Sequence, residues 1–268
     1  MWRDEKEEAR RCLGQALDIS RELDDKGTRL FVLRQIGNLE HRDDPATSRR
    51  CLEESIRLAR EIGDRESEAN GLNSLANLAM FEDRPAEAAG HYDRALEIVR
   101  EMGNRYSEAM ILGNLGFVRA DAGNLAEGEQ AFRRVLAITR ETGGAALRAM
   151  GEYGLAVTHL RKGANAEAWE WGRKATASLL EAGAPLTGNP LIFGVLMVRR
   201  GDRETGLRWI GFAQRNPGRF GKETEADIAR HWEEVRGDLT REEAEAIMAK
   251  GADLTMEEIL ARVEEESR

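Results

Sequence analysis

An all-α solenoid, built as a right-handed superhelical arc of antiparallel helical hairpins, is the fold class this sequence predicts. Three observations predict it. The first is recurrence: Arg60-Glu61-Ile62-Gly63 returns as Arg100-Glu101-Met102-Gly103 and again as Arg140-Glu141-Thr142-Gly143, a step of 40 residues each time. The second is period: within each unit one helical apolar pattern precedes a turn and another follows it. The third is that no alternating runs of Val, Ile or Thr bounded by hairpin turns occur, so strands are not expected. One hairpin cannot bury its own apolar face, and such units have to stack on one another.

The elements follow in order. Ala9, Leu13 and Ala16 align with Ala88, Tyr92 and Ala95, which makes the half repeat 1–27 a second helix whose hairpin partner is missing. The array therefore starts in mid-repeat, as a piece of a longer protein would. Repeats follow at about 28–66, 67–106, 107–144 and 145–183, with helices expected over 69–81, 85–102, 110–122 and 125–142. Pro85 stands where a helix can begin, and Gly123 where one can end. Gly63, Gly103 and Gly143 close the second helices. Gly37, Ala76, Gly116 and Ala156 on first helices should face Ala88, Gly128 and Ala168 on second helices at close crossings.

After 183 the period breaks over 184–190, and a degenerate hairpin over 190–215, with helices at 191–199 and 204–215, ends the array at 217. A loop spans 216–221. A cap and acidic tail over 222–268 should hold three amphipathic helices, at 223–235, 241–249 and 256–265. Thr240 with Glu243 and Thr255 with Glu258 are capping boxes for the last two.

Composition excludes several function classes. Charged residues make up 33% of the chain, and 40 Lys and Arg against 49 Asp and Glu give a net charge of -9, so no basic surplus serves a phosphate backbone. The acidity is concentrated in 233–268, which holds 12 acids and 5 bases. No run approaches the roughly 20 apolar residues of a membrane helix, and the charged start, MWRDEKEEARR, lacks a secretory core. A cytoplasmic address, without membrane or nucleic-acid partners, is expected. Cys12 and Cys51 occupy the same slot in successive repeats, too far apart for a disulfide, and are read as reduced packing residues.

Leu115-Gly116, Gly123, Phe132 and Val135-Leu136, with their counterparts Leu75-Ala76, Ala88, Tyr92 and Ala95-Leu96, resemble the tetratricopeptide repeat in its form of about 40 residues. The resemblance covers roughly 8–182. The closing pattern, a helix followed by Ala249-Lys250-Gly251 and Leu254-Thr255-Met256-Glu257-Glu258, resembles the C-terminal end of large bacterial LuxR-type and maltose-regulator-type signalling proteins. That likeness implies a C-terminal sensing arm attached to a switch or effector domain.

Chemistry is sparse. The segment 218–224 lacks the first glycine of a phosphate loop and the Ser or Thr after Lys222. His41, His91, His159 and His231 are dispersed at no ligand-like spacing, so no metal and no cofactor is expected. No nucleophile motif is present, and a non-catalytic module follows.

Binding is read from the first helices, which line the concave face of such an arc. Their inward positions give Arg34, Asn38 and His41; Asn70, Asn73 and Asn77; Met110, Gly113, Asn114 and Phe117; then Met150, Tyr153 and Val157. Asn supplies donor and acceptor to an extended backbone, which points to a protein or peptide partner. Arg34 and Asn38 resemble the first pair of the carboxylate-binding co-chaperone repeats. Ser74, Met110 and Asn114 replace the remainder, so that clamp is not expected. The alternative is a small-molecule effector held by Met110, Phe117, Met150 and Tyr153. The uncapped first helix also presents a face suited to a homodimer.

Overall fold

The computed structural model describes residues 2–184, 189–216 and 221–267, with side chains for 5–184, 189–216 and 225–267. Among them are fourteen α-helices and no strand. Residues 185–188 of the 184–190 period break and most of the 216–221 loop lie outside the described residues, as do the side chains of 218–224 in the rejected segment. The chain divides into two compact units, Met1–Ala131 and Phe132–Arg268.

The first unit holds α1 (Trp2–Glu22), α2 (Lys26–Glu40), α3 (Pro45–Ile62), α4 (Arg65–Phe81), α5 (Pro85–Glu101), α6 (Arg105–Asp121) and the start of α7 (Leu125–Thr142). First helices begin earlier than the apolar pattern predicts because a capping side chain precedes each of them. Asp25, Asp64 and Asn104 accept from the backbone N–H of Thr28, Ser67 and Ser107 at 3.0, 2.9 and 3.0 Å. Each such cap is worth about 1 kcal/mol. Gly63 and Gly103 end the second helices with φ of +74° and +67°, a left-handed conformation that a side chain would strain.

The small-residue crossings are present. A Cβ at Gly37 would come within 2.6 Å of Leu52 Cγ. Opposite it stands Ser48, one period before Ala88, and its Oγ donates to the Gly37 carbonyl at 2.7 Å. Gly128 sits against the Gly116 carbonyl oxygen, 3.0 Å from where its Cβ would be.

A second recurrence was hidden in the charged residues. Glu68 and Glu108 are 2% and 4% exposed, 40 residues apart. Glu68 accepts from Arg60 at 2.8 Å and Arg65 at 2.7 Å, and Glu108 accepts from Arg100 at 3.2 Å and from Arg105. Each buried carboxylate thus ties the end of one hairpin to the start of the next. Burial pushes the Glu68 carboxyl up, but its two arginines outweigh this and hold it below the ordinary value.

One expectation fails here. Cys12, read as a packing residue, is exposed, with no helix over that side of α1 among the described residues; its counterpart Cys51 is half-buried against Leu30, Leu33, Leu58 and Ala59.

The second unit holds the rest of α7, then α8 (Ala145–Arg161), α9 (Asn165–Glu181), α10 (Asn189–Arg199), α11 (Arg203–Arg215), α12 (Gly221–Arg236), α13 (Arg241–Ala249), a 3-10 turn (Lys250–Asp253) and α14 (Met256–Glu265). Gly154 leaves room for the fully buried Phe132 ring. The hairpin of α10 and α11 also has a small-residue crossing: a Cβ at Gly194 would lie 2.8 Å from the Gly206 carbonyl oxygen, and one at Gly206 2.5 Å from that of Gly194.

The C-terminal helices share this hairpin's core. Ile228, Val235, Met248, Ile259 and Val263 cluster with Trp169, Phe193, Leu196, Trp209 and Ile210. Gly211 lies against the Met248 backbone and Gly251 against that of Arg208, so α11 is crossed at backbone contact. Arg161 pairs with Asp227 at 2.9 Å and Arg199 with Glu234 at 2.6 Å. Both expected capping boxes are formed. Trp169 points inward, donating from Nε1 to Ser267 Oγ at 2.9 Å, while Trp171 is half-buried under Lys174.

Candidate ligand-binding face

Eight of the ten residues nominated from the sequence, namely Arg34, Asn38, Asn70, Asn73, Asn77, Met110, Asn114 and Phe117, lie on α2, α4 and α6 of the first unit. Asn38 and Asn77 are exposed and the other six half-buried. Their main-chain positions are fixed by the opposite faces of the same helices, where Leu30, Leu33, Leu72, Leu75, Ile111 and Leu115 are buried.

Neighbouring helices bring two of the asparagines together: Asn114 Nδ2 donates to Asn73 Oδ1 at 3.3 Å. Asn77 is anchored differently. The buried Tyr92 hydroxyl on α5 donates to its Oδ1 at 2.5 Å, which leaves the Asn77 amide N–H groups to face outward. Asn38 lends its backbone carbonyl to His41 Nδ1 at 2.8 Å, and His41 meets Phe81 edge to face, with centroids 5.6 Å apart.

Arg34 is the electrostatic centre of this face. Its guanidinium lies 5.5 Å from the Phe31 ring, its buried Nε has no hydrogen-bond partner, and it makes no ion pair among the described residues. Burial without a counter-charge lowers its pKa. A half-buried cation of this kind is stabilised by any acceptor brought to it. Phe31, 51% exposed, was missed in the sequence because it falls outside the inward positions. Arg34 itself was found, but its lack of an anion is visible only in three dimensions.

Met150 and Tyr153 belong to α8 in the second unit. Tyr153 packs partly buried against the core of that unit, and Met150 is half-buried. Among the described residues no group of three His, Cys, Asp or Glu converges as a metal site, and no helix is long and apolar enough to cross a membrane.

Comparison of the sequence with protein families and with curated proteins gives no match. Solved structures do match in shape. BtubC from P. vanneervenii superposes with a TM-score of 0.63 at 17% identity, over 93% of this chain and 92% of that one. A signal transduction ATPase with numerous domains carrying a tetratricopeptide repeat sensor, from Pyrococcus horikoshii, gives 0.64 at 16% identity over 94% of this chain, which spans 41% of that protein. A putative kinesin light chain with nearly identical tetratricopeptide-like repeats, from Podosopora anserina, gives 0.55 at 15% identity, over 76% and 96%. The fold is the tetratricopeptide-type helical repeat.

Proposed function

We propose that this tetratricopeptide-type array is a non-catalytic interaction module that holds an extended protein segment on the first-helix face of α2, α4 and α6. The observation that carries the reading is the unpaired Arg34 beside exposed Phe31 and Asn38, continued by the exposed Asn77 amide and the half-buried Asn73–Asn114 pair. An extended segment brings regularly spaced carbonyl and N–H groups, which asparagine amides match, and an acceptor side chain satisfies Arg34. The helices hold these groups before any ligand arrives, so little ordering entropy is lost on binding. We assign the module to the scaffold or sensing arm of a bacterial-type regulator. The likeness to a structure described as carrying a tetratricopeptide repeat sensor supports that role.

The test is fluorescence polarisation with labelled peptides of about twelve residues, in acidic, neutral and basic sets. Peptides with an acidic residue should bind best, and Arg34→Gln should weaken them by about tenfold, the scale of one charge-assisted hydrogen bond. Asn73→Ala with Asn114→Ala should weaken all three sets alike. Affinity unchanged in both variants would refute the reading. Thermal stabilisation by a metabolite panel and by no peptide would favour a small-molecule effector in its place.

A further inference from the structure

Three sets of positions recur on the first helices of the first unit, at steps of 39 and then 40 residues. Phe31, Asn70 and Met110 form one, Arg34, Asn73 and Gly113 the second, and Asn38, Asn77 and Phe117 the third. From helix to helix the chemistry changes in one direction: α2 presents an aromatic ring and a cation, α4 three amides, and α6 a thioether and a second ring. All of these positions except Gly113 are half-buried or exposed. Of the nine, only Arg34 is charged. It makes no ion pair among the described residues, and neither does the exposed Arg42 two turns on, whose Nε donates to His41 Nε2 at 3.3 Å. The acids that follow on the same stretch of chain are already held: Arg10 donates to Glu40 and Asp43 at 2.6 and 2.7 Å, and Asp44 caps α3. The uncompensated charge at the α2 end of the face is therefore positive, and an acid on the ligand answers it.

Distance sets the spacing. α4 packs on α2 and meets α6 through Asn73 and Asn114, and packed helices lie about 8–10 Å apart, so α2 to α6 is a span of about 16–20 Å. An extended chain rises about 3.3 Å per residue and turns successive side chains to opposite faces. Two side chains that both point at the array are thus an even number of residues apart, and a separation of six covers about 20 Å.

We infer that the segment held on this face carries an acidic residue and a large apolar residue six positions apart, the carboxylate on Arg34 beside Phe31 and the apolar side chain on Met110 and Phe117. The backbone between them lies over α4, where the outward N–H groups of the Asn77 amide meet its carbonyls. This rests on the proposed first-helix binding face and adds to it the pattern by which a partner is selected.

The probes are labelled peptides of about twelve residues built of Ser, Thr and Gly, with one Glu and one Leu placed six apart in either order, followed by fluorescence polarisation on the full chain. One of the two orders should bind about tenfold more tightly than the same peptide with Leu moved to a spacing of five or replaced by Ser. These comparisons change the peptide alone, so folding of the chain does not enter. Met110→Gln should remove the advantage given by Leu and leave that of Glu, and Arg34→Gln should do the reverse, a separation that a double-mutant cycle reads directly. Equal affinity at spacings of five and six, or with Leu replaced, would overturn the pattern, while an acidic preference that still depends on Arg34 would leave the binding face standing. No saturable binding by any peptide below about 1 mM would overturn both.

Discussion

Asp83 occupies the turn between α4 and α5 with φ of +59°, whereas the same turn one repeat later is made by Gly123 at +87°. A side chain in the left-handed region meets its own backbone, a cost of about 1–2 kcal/mol that glycine avoids, partly offset by glycine's larger freedom when unfolded. Asp83→Gly should therefore raise stability by about 0.5–1 kcal/mol in urea unfolding followed by circular dichroism; a loss would show that the aspartate makes a compensating bond in solution. Glu68 is the opposite case, a side chain whose unfavourable burial is more than repaid by its neighbours. Because its carboxyl titrates below the ordinary 4.5, its contribution is fully present above that value and drains away as pH falls through the lower folded-state value. Glu68→Gln should cost about 1–3 kcal/mol at neutral pH and flatten the acid limb of the urea midpoint against pH. A mutant curve parallel to wild type would exclude Glu68 as a source of that limb.

Helices were legible where a local signal marks both ends. The run 241–249 and the run 256–265 match α13 and α14 because Thr240, Glu243, Thr255 and Glu258 write the caps into the sequence. The starts of α4 and α6 were set too late because apolar period registers only the packed face, whereas Asp64 and Asn104 begin the helix earlier through hydrogen bonds. The arginine ladder on Glu68 and Glu108 was illegible, since a one-third charged composition hides the few buried acids among many exposed ones. In the hairpin of α10 and α11, a Cβ at Gly206 would lie 2.5 Å from the Gly194 carbonyl oxygen, against 3.0 Å for one at Gly128 from that of Gly116. Gly194→Ala should force those backbones apart and cost about 1–3 kcal/mol. Within α8, burial raises the Glu152 carboxyl while a hydrogen bond from Ser178 at 2.6 Å opposes it. A group whose folded value is raised binds its proton more tightly in the native state, so stability falls as pH rises from 4.5 to the folded value and stays lower above it. Glu152→Gln, which still accepts from Ser178, should be more stable than wild type at pH 7 in thermal melts and equal to it in acid.

The first unit's candidate face is built on asparagines that the sequence places on first helices, two of which bond to each other and one of which accepts from the buried Tyr92 hydroxyl. What escaped was Phe31 and the absence of an anion for Arg34, both properties of how neighbouring helices place side chains. At the far end of the chain, where the sequence reads a helical cap after the repeat array, Ile228, Met248, Ile259 and Val263 complete the core around Phe193 and Trp209. A cap that merely shields an end is dispensable to the layers beneath, while one that supplies core volume is not. Removing 217–268 strips those side chains from the cluster and uncovers Leu207, Trp209 and Ile210 together, a loss several times that of one large-to-small substitution of about 2–5 kcal/mol. The truncated chain should keep amide protection in α2 to α6 and lose it in α8 to α11 when followed by hydrogen exchange and mass spectrometry. Protection retained in α10 and α11 would mean that the Gly194 and Gly206 crossing holds the hairpin without the helices packed over it.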